Sequence, residues 1–113
     1  MIDLQIIRKL AASFPGAEEG TSYGTPEFRV GGRLILRLHG KEEAIVVLLD
    51  SVEEQQHLIA RDPEYFYITD HYEGHAAVLV RTTIGEDAFR DLMERAWRRV
   101  ARKKDLAEFE QQA

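Results

Sequence analysis

The sequence predicts an α+β domain, an antiparallel sheet with helices on one face, arranged as a two-layer sandwich. Three observations point to it. Gly31-Gly32 separates two strand-like runs as a two-residue hairpin turn does, amphipathic helical patterns open the chain and return near its end, and the strands fall in hairpins without regular β-α-β alternation.

Residues 3 to 14 read as a helix: Asp3 can cap it, Leu4, Ile7, Leu10, Ala11 and Phe14 recur at helical spacing, and Pro15-Gly16 stops it. The polar, glycine-punctuated stretch Glu18 to Tyr23 is either an edge strand or an irregular approach to the sheet. Phe28-Arg29-Val30 and Arg33 to Leu38 then flank Gly31-Gly32, where both residues can take the positive φ of a type I′ turn. Strand alternation places Leu34, Leu36 and Leu38 on one face, with Arg33, Ile35 and Arg37 on the other. After the His39-Gly40-Lys41 turn, "EAIVVLL" is apolar on both faces and reads as a central strand.

Ser51 and Glu54 form a capping box for a short helix ending near Ala60 or Arg61, closed by Asp62-Pro63. "YFYIT" (65 to 69) and "AAVLVR" (76 to 81) read as a second strand pair joined by "DHYEGH". Thr83 and Glu86 suggest another capping box before a helix whose stripe is Phe89, Leu92, Met93, Ala96, Trp97 and Val100. The predicted order is helix, three or four strands, helix, two strands, helix, in a single domain over residues 1–104. Residues 105–113 form a tail, helical or frayed.

A chain of 113 residues has room for one core, and 44% hydrophobic with 31% charged residues is the balance of a folded protein rather than a disordered one. The absence of cysteine excludes disulfides, thiol nucleophiles and thiolate metal sites. The longest apolar run, Ala44 to Leu49, is far short of the roughly 20 residues of a membrane span, and the N-terminus lacks a signal-peptide pattern, so the expected compartment is the cytoplasm. A formal net charge of −5 opposes generic attachment to phosphate polymers or anionic membranes, so any nucleic-acid contact needs a local basic patch.

"FPGAEEGTSYGTPEFRVGGRLILRL", "DPEYFYITDHYEGHAAVLVR" and "AWRRVARKK" together resemble the MmcQ/YjbR-like proteins of bacteria along nearly the whole chain. The resemblance rests on Pro15-Gly16, Glu19, Gly24, Pro26, Phe28, Val30, Gly32, His71-Tyr72 with Gly74, the "VLVR" strand and Ala96-Trp97. It implies a small secretion-chaperone-like α+β domain, of a kind often labelled DNA-binding, and brings no established catalytic residues. Many of these proteins carry a bulky pair, often Pro-Trp, immediately before "VLVR", where this chain has Ala76-Ala77.

The bend around Gly20 to Pro26 is explained by folding: glycines and proline set the turns, and Thr21, Ser22, Tyr23 and Thr25 can bond their own or neighbouring backbone, while these hydroxyls with Tyr23 facing a groove are the alternative, ligand-binding reading. A phosphate-cradling loop would need a helix N-terminus or a Walker-type lysine downstream, and a strand follows instead. His71, Glu73 and His75 would share one side of an extended chain and could face a metal, but Asp70 and Gly74 favour a turn that breaks that alternation. Ser22, His71 and Asp70 make no triad, since neither a nucleophile elbow nor an oxyanion hole is recognisable.

Two surfaces remain. The first is a binding surface of Ser22, Tyr23, Phe28, Arg37, His71 and Tyr72, in a non-enzymatic module with no cofactor or metal, whose partner is an unidentified small molecule or protein. The second is the basic run of Arg95, Arg98, Arg99, Arg102, Lys103 and Lys104, which would contact nucleic acid weakly. Opposing the second are i,i+4 acid–base spacings, the helix dipole, and a Trp97 that belongs to the apolar stripe. An enzyme or binder acting on a small anionic molecule is the third reading.

Overall fold

The computed structural model describes residues 1–112. Asp3 caps the first helix, α1 (Leu4–Ala11), accepting the Ile6 amide at 2.9 Å. The helix stops before the expected Phe14 because the Ser13 and Phe14 amides turn back to the Leu10 and Ala11 carbonyls, delivering the chain to Gly16 at φ 81°. The ambiguous stretch after it is a true edge strand, β1 (Ala17–Ser22), paired antiparallel with β2 (Thr25–Val30) through Tyr23-Gly24. Gly31 and Gly32, at φ 56° and 82°, make the expected link to β3 (Arg33–Leu38).

The predicted alternation along β3 fails at one residue. Phe28 pairs with Leu36 and Arg29 with Leu34, so Ile35 is the extra residue of a bulge. A bulge sets two residues against one and resets the pleat, which is why Ile35 and Leu36 are both fully buried while Leu34 is only half-buried and lies outside the main core.

The apolar strand β4 (Ala44–Leu48) is central, as its two-sided hydrophobicity requires. Ser51 caps α2 (Val52–Arg61) by accepting the Glu54 amide at 3.1 Å. Of "YFYIT" only β5 (Phe66–Tyr67) is strand, because the chain leaves the sheet for a 3₁₀ turn at Asp70–Tyr72 before entering β6 (Ala77–Arg81). The antiparallel sheet runs β1-β2-β3-β4-β6-β5.

The second capping box does not form. Helix α3 (Glu86–Val100) starts at Gly85 as its cap, and Glu86 reaches across to Lys9 at 3.0 Å instead of back to Thr83. The tail is helical as far as Gln111, and its residue 113 lies outside the described residues: α4 (Lys103–Gln111) is started by an exchange in which Asp105 accepts the Arg102 amide at 3.0 Å.

One core joins the helices to one sheet face, with Ile7, Leu58, Phe89, Met93 and Trp97 against Phe28, Leu36, Val47 and Val80. The other face carries a smaller cluster of Ala44, Val46, Ala77 and Leu79, covered by Tyr72 from the 3₁₀ turn. No helix among the described residues is long and apolar enough to cross a membrane.

Candidate functional site

Because the helices occupy one side, the other side of the sheet is where strand residues meet either solvent or the Asp70–His75 segment. Strand register lays one row across it: Gly20, Glu27, Arg37, Val46, Leu79 and Tyr67. Its apolar half, Val46 and Leu79, lies under Tyr72, and its charged half begins at Arg37. The Arg37 guanidinium donates to the Tyr72 hydroxyl across this boundary. Exposed His71 sets its ring edge-on to Tyr72 at 4.9 Å, and His39 approaches from the β3–β4 loop at 6.4 Å. Among the described residues no carboxylate forms an ion pair with Arg37. Its cross-strand neighbour Glu27, 4% exposed, is engaged by Arg29.

Tyr72 is fixed from behind. Gln55 of α2, 2% exposed, directs its side-chain amide at the carbonyls of Tyr72, His75 and Ala77, at 3.1, 2.7 and 2.7 Å. At the far edge the Tyr67 hydroxyl donates to Glu42 at 2.9 Å, and the Arg81 guanidinium stacks 4.1 Å from the Tyr67 ring centre. Burial, and then this bond to Glu42, push the Tyr67 phenol up from its ordinary value.

Of the expected binding surface, Arg37, Tyr72 and His71 come together. Ser22 and Tyr23 lie at the end of the β1–β2 hairpin, where Tyr23 is fully exposed with φ 51°. Phe28 faces the helices and is 2% exposed, so it serves the core and cannot meet a ligand. His39 and Gln55 were not among the expected residues. A polar residue three before Leu58 on the inward stripe of α2 is the one signal that could have found Gln55.

The 3₁₀ turn and Gly74, at φ 78°, break the alternation that would have aligned His71, Glu73 and His75. The His71 and His75 rings stack 6.2 Å apart, and among the described residues no group of three or more His, Asp or Glu side chains is placed to hold a metal ion.

The basic run is largely occupied. Arg95 pairs with Glu54, Arg98 with Glu94 at 3.0 Å, and Arg102 with Asp105 at 2.8 Å, while Arg99 donates to the Leu34 carbonyl at 2.6 Å. Burial, and then the nearby Arg33 charge, lower the Arg99 guanidinium from its usual value, against a smaller opposing effect of Asp50. Trp97 is fully buried and donates to the Pro15 carbonyl at 2.9 Å, which removes it from base stacking. Exposed Lys103 and Lys104 form no ion pair among the described residues.

Asp105 is held below the usual carboxylate range, chiefly by the Arg102 guanidinium hydrogen bond, with burial opposing. A carboxylate lowered in this way contributes stability above its unfolded pKa and loses it as pH falls through the lower folded value. Helix α4 is therefore expected to loosen below about pH 4. The emission of Trp97, the single tryptophan, reads this through its contact with Phe109, whose ring centre is 4.9 Å away. The acid shift should be blunted in Asp105→Asn. An identical acid profile in both proteins would place the effect on other carboxylates, such as Glu19, lowered by its hydrogen bond from Arg8.

An open antiparallel sheet with helices on one face, and on the other a row charged at one end and apolar under Tyr72 at the other, defines a small α+β domain of the open-faced sandwich class. The family model described as YjbR matches residues 12–99, and the chain belongs to that family. The crystal structure of Deinococcus radiodurans protein DR2400, with a DUF419 domain, shares the fold with a TM-score of 0.71 at 16% identity, over 91% of this chain and 84% of that one. No curated protein matches the chain.

Proposed function

We propose that this YjbR-family chain is a cytoplasmic, non-enzymatic binding module that receives an anionic group, on a small molecule or a protein, at Arg37. The observation carrying this is a half-buried guanidinium held by the Tyr72 hydroxyl, beside exposed His71, with no carboxylate paired to it among the described residues. A guanidinium has five donors and so retains capacity for an incoming carboxylate or phosphate. A catalytic role has less support, since the Ser22 hydroxyl and the His71 ring sit on separate elements with no hydrogen bond joining them among the described residues.

Titrating inorganic phosphate into isotopically labelled protein at low salt tests this. Amide shifts are expected around Arg37, His71 and Tyr72, lost in Arg37→Gln and weakened several-fold in Tyr72→Phe. Shifts that survive Arg37→Gln, or none at millimolar phosphate, would overturn the assignment. A turnover abolished by His71→Ala in a folded protein would replace it with an enzyme.

The nucleic-acid reading retains one favourable observation, the adjacent exposed ammonium groups of Lys103 and Lys104, which form no ion pair among the described residues. Duplex binding that falls steeply with salt and weakens in Lys103→Gln/Lys104→Gln would support it. No binding at low salt would dismiss it.

A further inference from the structure

The sheet order leaves the outer side of β1 unpaired over six residues, whereas β5 at the opposite end is only two residues long. Backbone groups of alternate residues in an antiparallel strand point to alternate sides. Ser22 and Thr25 close the two-residue Tyr23-Gly24 turn and exchange hydrogen bonds, so Gly20 and Glu18 also bond toward β2, while Ala17, Glu19 and Thr21 turn outward. The Ala17 amide agrees, donating away from β2 to the Phe14 carbonyl at 3.1 Å. Among the described residues, the outward amides and carbonyls of exposed Glu19 and Thr21 have no backbone partner.

Edge strands are commonly blocked by a lysine, a proline or a bulge. β1 has no lysine or proline, and its register with β2 runs through all six residues without a shift. At its middle, Gly20 has no reason within the chain to be glycine: its φ lies outside the left-handed region, and an added Cβ would meet nothing within 4 Å. A glycine inside a strand weakens it and, where no bulge is present, marks a place where a ligand or another backbone comes close.

The acids of β1 select what that backbone is. With Ala17, Glu19 and Thr21 facing outward, two copies pair antiparallel only in registers centred on a residue. A centre at Glu18 or Glu19 sets like carboxylates directly opposite, which is destabilising, and a centre at Thr21 runs into the Tyr23-Gly24 turn. A centre at Gly20 sets Glu19 opposite the partner's Thr21, sets Glu18 opposite the partner's Ser22, and brings the two glycines together. Glu19 is also matched within its own chain by Arg8 at 2.7 Å.

We propose that β1 is a self-association edge on which two copies of this chain pair antiparallel about Gly20, the outward groups of Glu19 and Thr21 exchanging hydrogen bonds with the partner's Thr21 and Glu19. The two-fold axis stands perpendicular to the sheet, so both helical layers lie on the same side. The row from Tyr67 through Arg37 and Glu27 to Gly20 then continues into the partner's row, and both Arg37 guanidiniums share one open face.

Sedimentation equilibrium at concentrations up to about 1 mM, with amide exchange followed in the same samples, tests this. Mass should rise toward a dimer with concentration, and the Glu19 and Thr21 amides should become protected as it does. Thr21→Pro removes an outward amide without touching the bonds to β2, so it should weaken association about tenfold or more. Ser22→Lys, facing the partner's Glu18, should tighten association a few-fold and Ser22→Glu should weaken it, while Gln56→Lys, the same charge change on the exposed side of α2, should do neither. Circular dichroism should show all four variants folded, and if Thr21→Pro fails there the two Ser22 variants still decide. A monomer at every concentration would overturn the proposal. So would a dimer that protects amides elsewhere and ignores Thr21→Pro and the Ser22 variants, or one that responds equally to Ser22→Lys and Gln56→Lys.

Discussion

Trp97→Ala is expected to cost about 4–5 kcal/mol, combining the usual price of deleting a buried aromatic with that of a stranded hydrogen-bond partner. A domain's whole stability is about 5–15 kcal/mol, so this variant should lose from about a third to nearly all of it. The magnitude follows from what converges on the indole: α3 carries it at full burial, Phe14 packs at 5.5 Å and Phe109 of α4 at 4.9 Å between ring centres, and Nε1 donates to the Pro15 carbonyl at 2.9 Å. One side chain thus ties together the end of α1, the last helix and the turn into the edge strand. Trp97→Phe keeps most of the ring and loses the hydrogen bond, so about 1–2 kcal/mol is expected. Urea unfolding followed by circular dichroism compares all three proteins, since the variants lack the fluorophore. A cost below about 2 kcal/mol for the alanine variant would mean that the site collapses around the gap and that α4 does not depend on it.

Local backbone demands were readable in the sequence, while features set by distant neighbours were not. Gly31-Gly32 specifies its hairpin because both φ values are positive and few residues other than glycine take them without strain. Ser51 caps α2 through a contact three residues away. β1 was ambiguous because its polar residues carry no alternating pattern; backbone pairing to β2 and the Glu19–Arg8 contact at 2.7 Å hold it in place. The Ile35 bulge was invisible because "RLILRL" alternates cleanly, and only its register with β2 shows that the pleat resets. Thr83 and Glu86 satisfy the capping-box pattern, yet Lys9, distant in sequence, draws Glu86 away. The same division separates Arg37 and Tyr72, whose residue types suggest binding, from Phe28, whose strand face assigns it to the core. Gln55 acts through carbonyls that the fold brings to it from 17 to 22 residues away, and its place three before Leu58 hints only that it points inward.

Gln55→Glu should convert this hidden support into a pH-dependent fault. The native side-chain NH₂ faces three carbonyl oxygens in a site 2% exposed. A carboxylate there would present its lone pairs to those of three carbonyls in a buried site, so the introduced Glu must hold a proton in the folded state. Its folded pKa is therefore raised above the unfolded value of about 4.3. The sign is opposite to that for Asp105: the folded form is tolerated below about pH 4 and loses stability as pH rises toward the raised folded value. Near neutral pH the expected cost is about 3–5 kcal/mol, the scale of an uncompensated buried charge, and near pH 4 it falls to about 1–2 kcal/mol because one O–H replaces two N–H donors. Urea midpoints of variant and wild type, compared at each pH, remove the acid loss that Asp105 imposes on both. Gln55→Leu should cost about 2–3 kcal/mol at either pH, since stranded carbonyls do not titrate. Because Gln55 holds the segment carrying Tyr72, hydrogen exchange should rise at residues 70–77 in Gln55→Glu near neutral pH, and phosphate binding at Arg37 should weaken with it. A Gln55→Glu cost that does not change with pH would show that the loop swings the carboxylate into water, and that Tyr72 is positioned by its own packing rather than by α2.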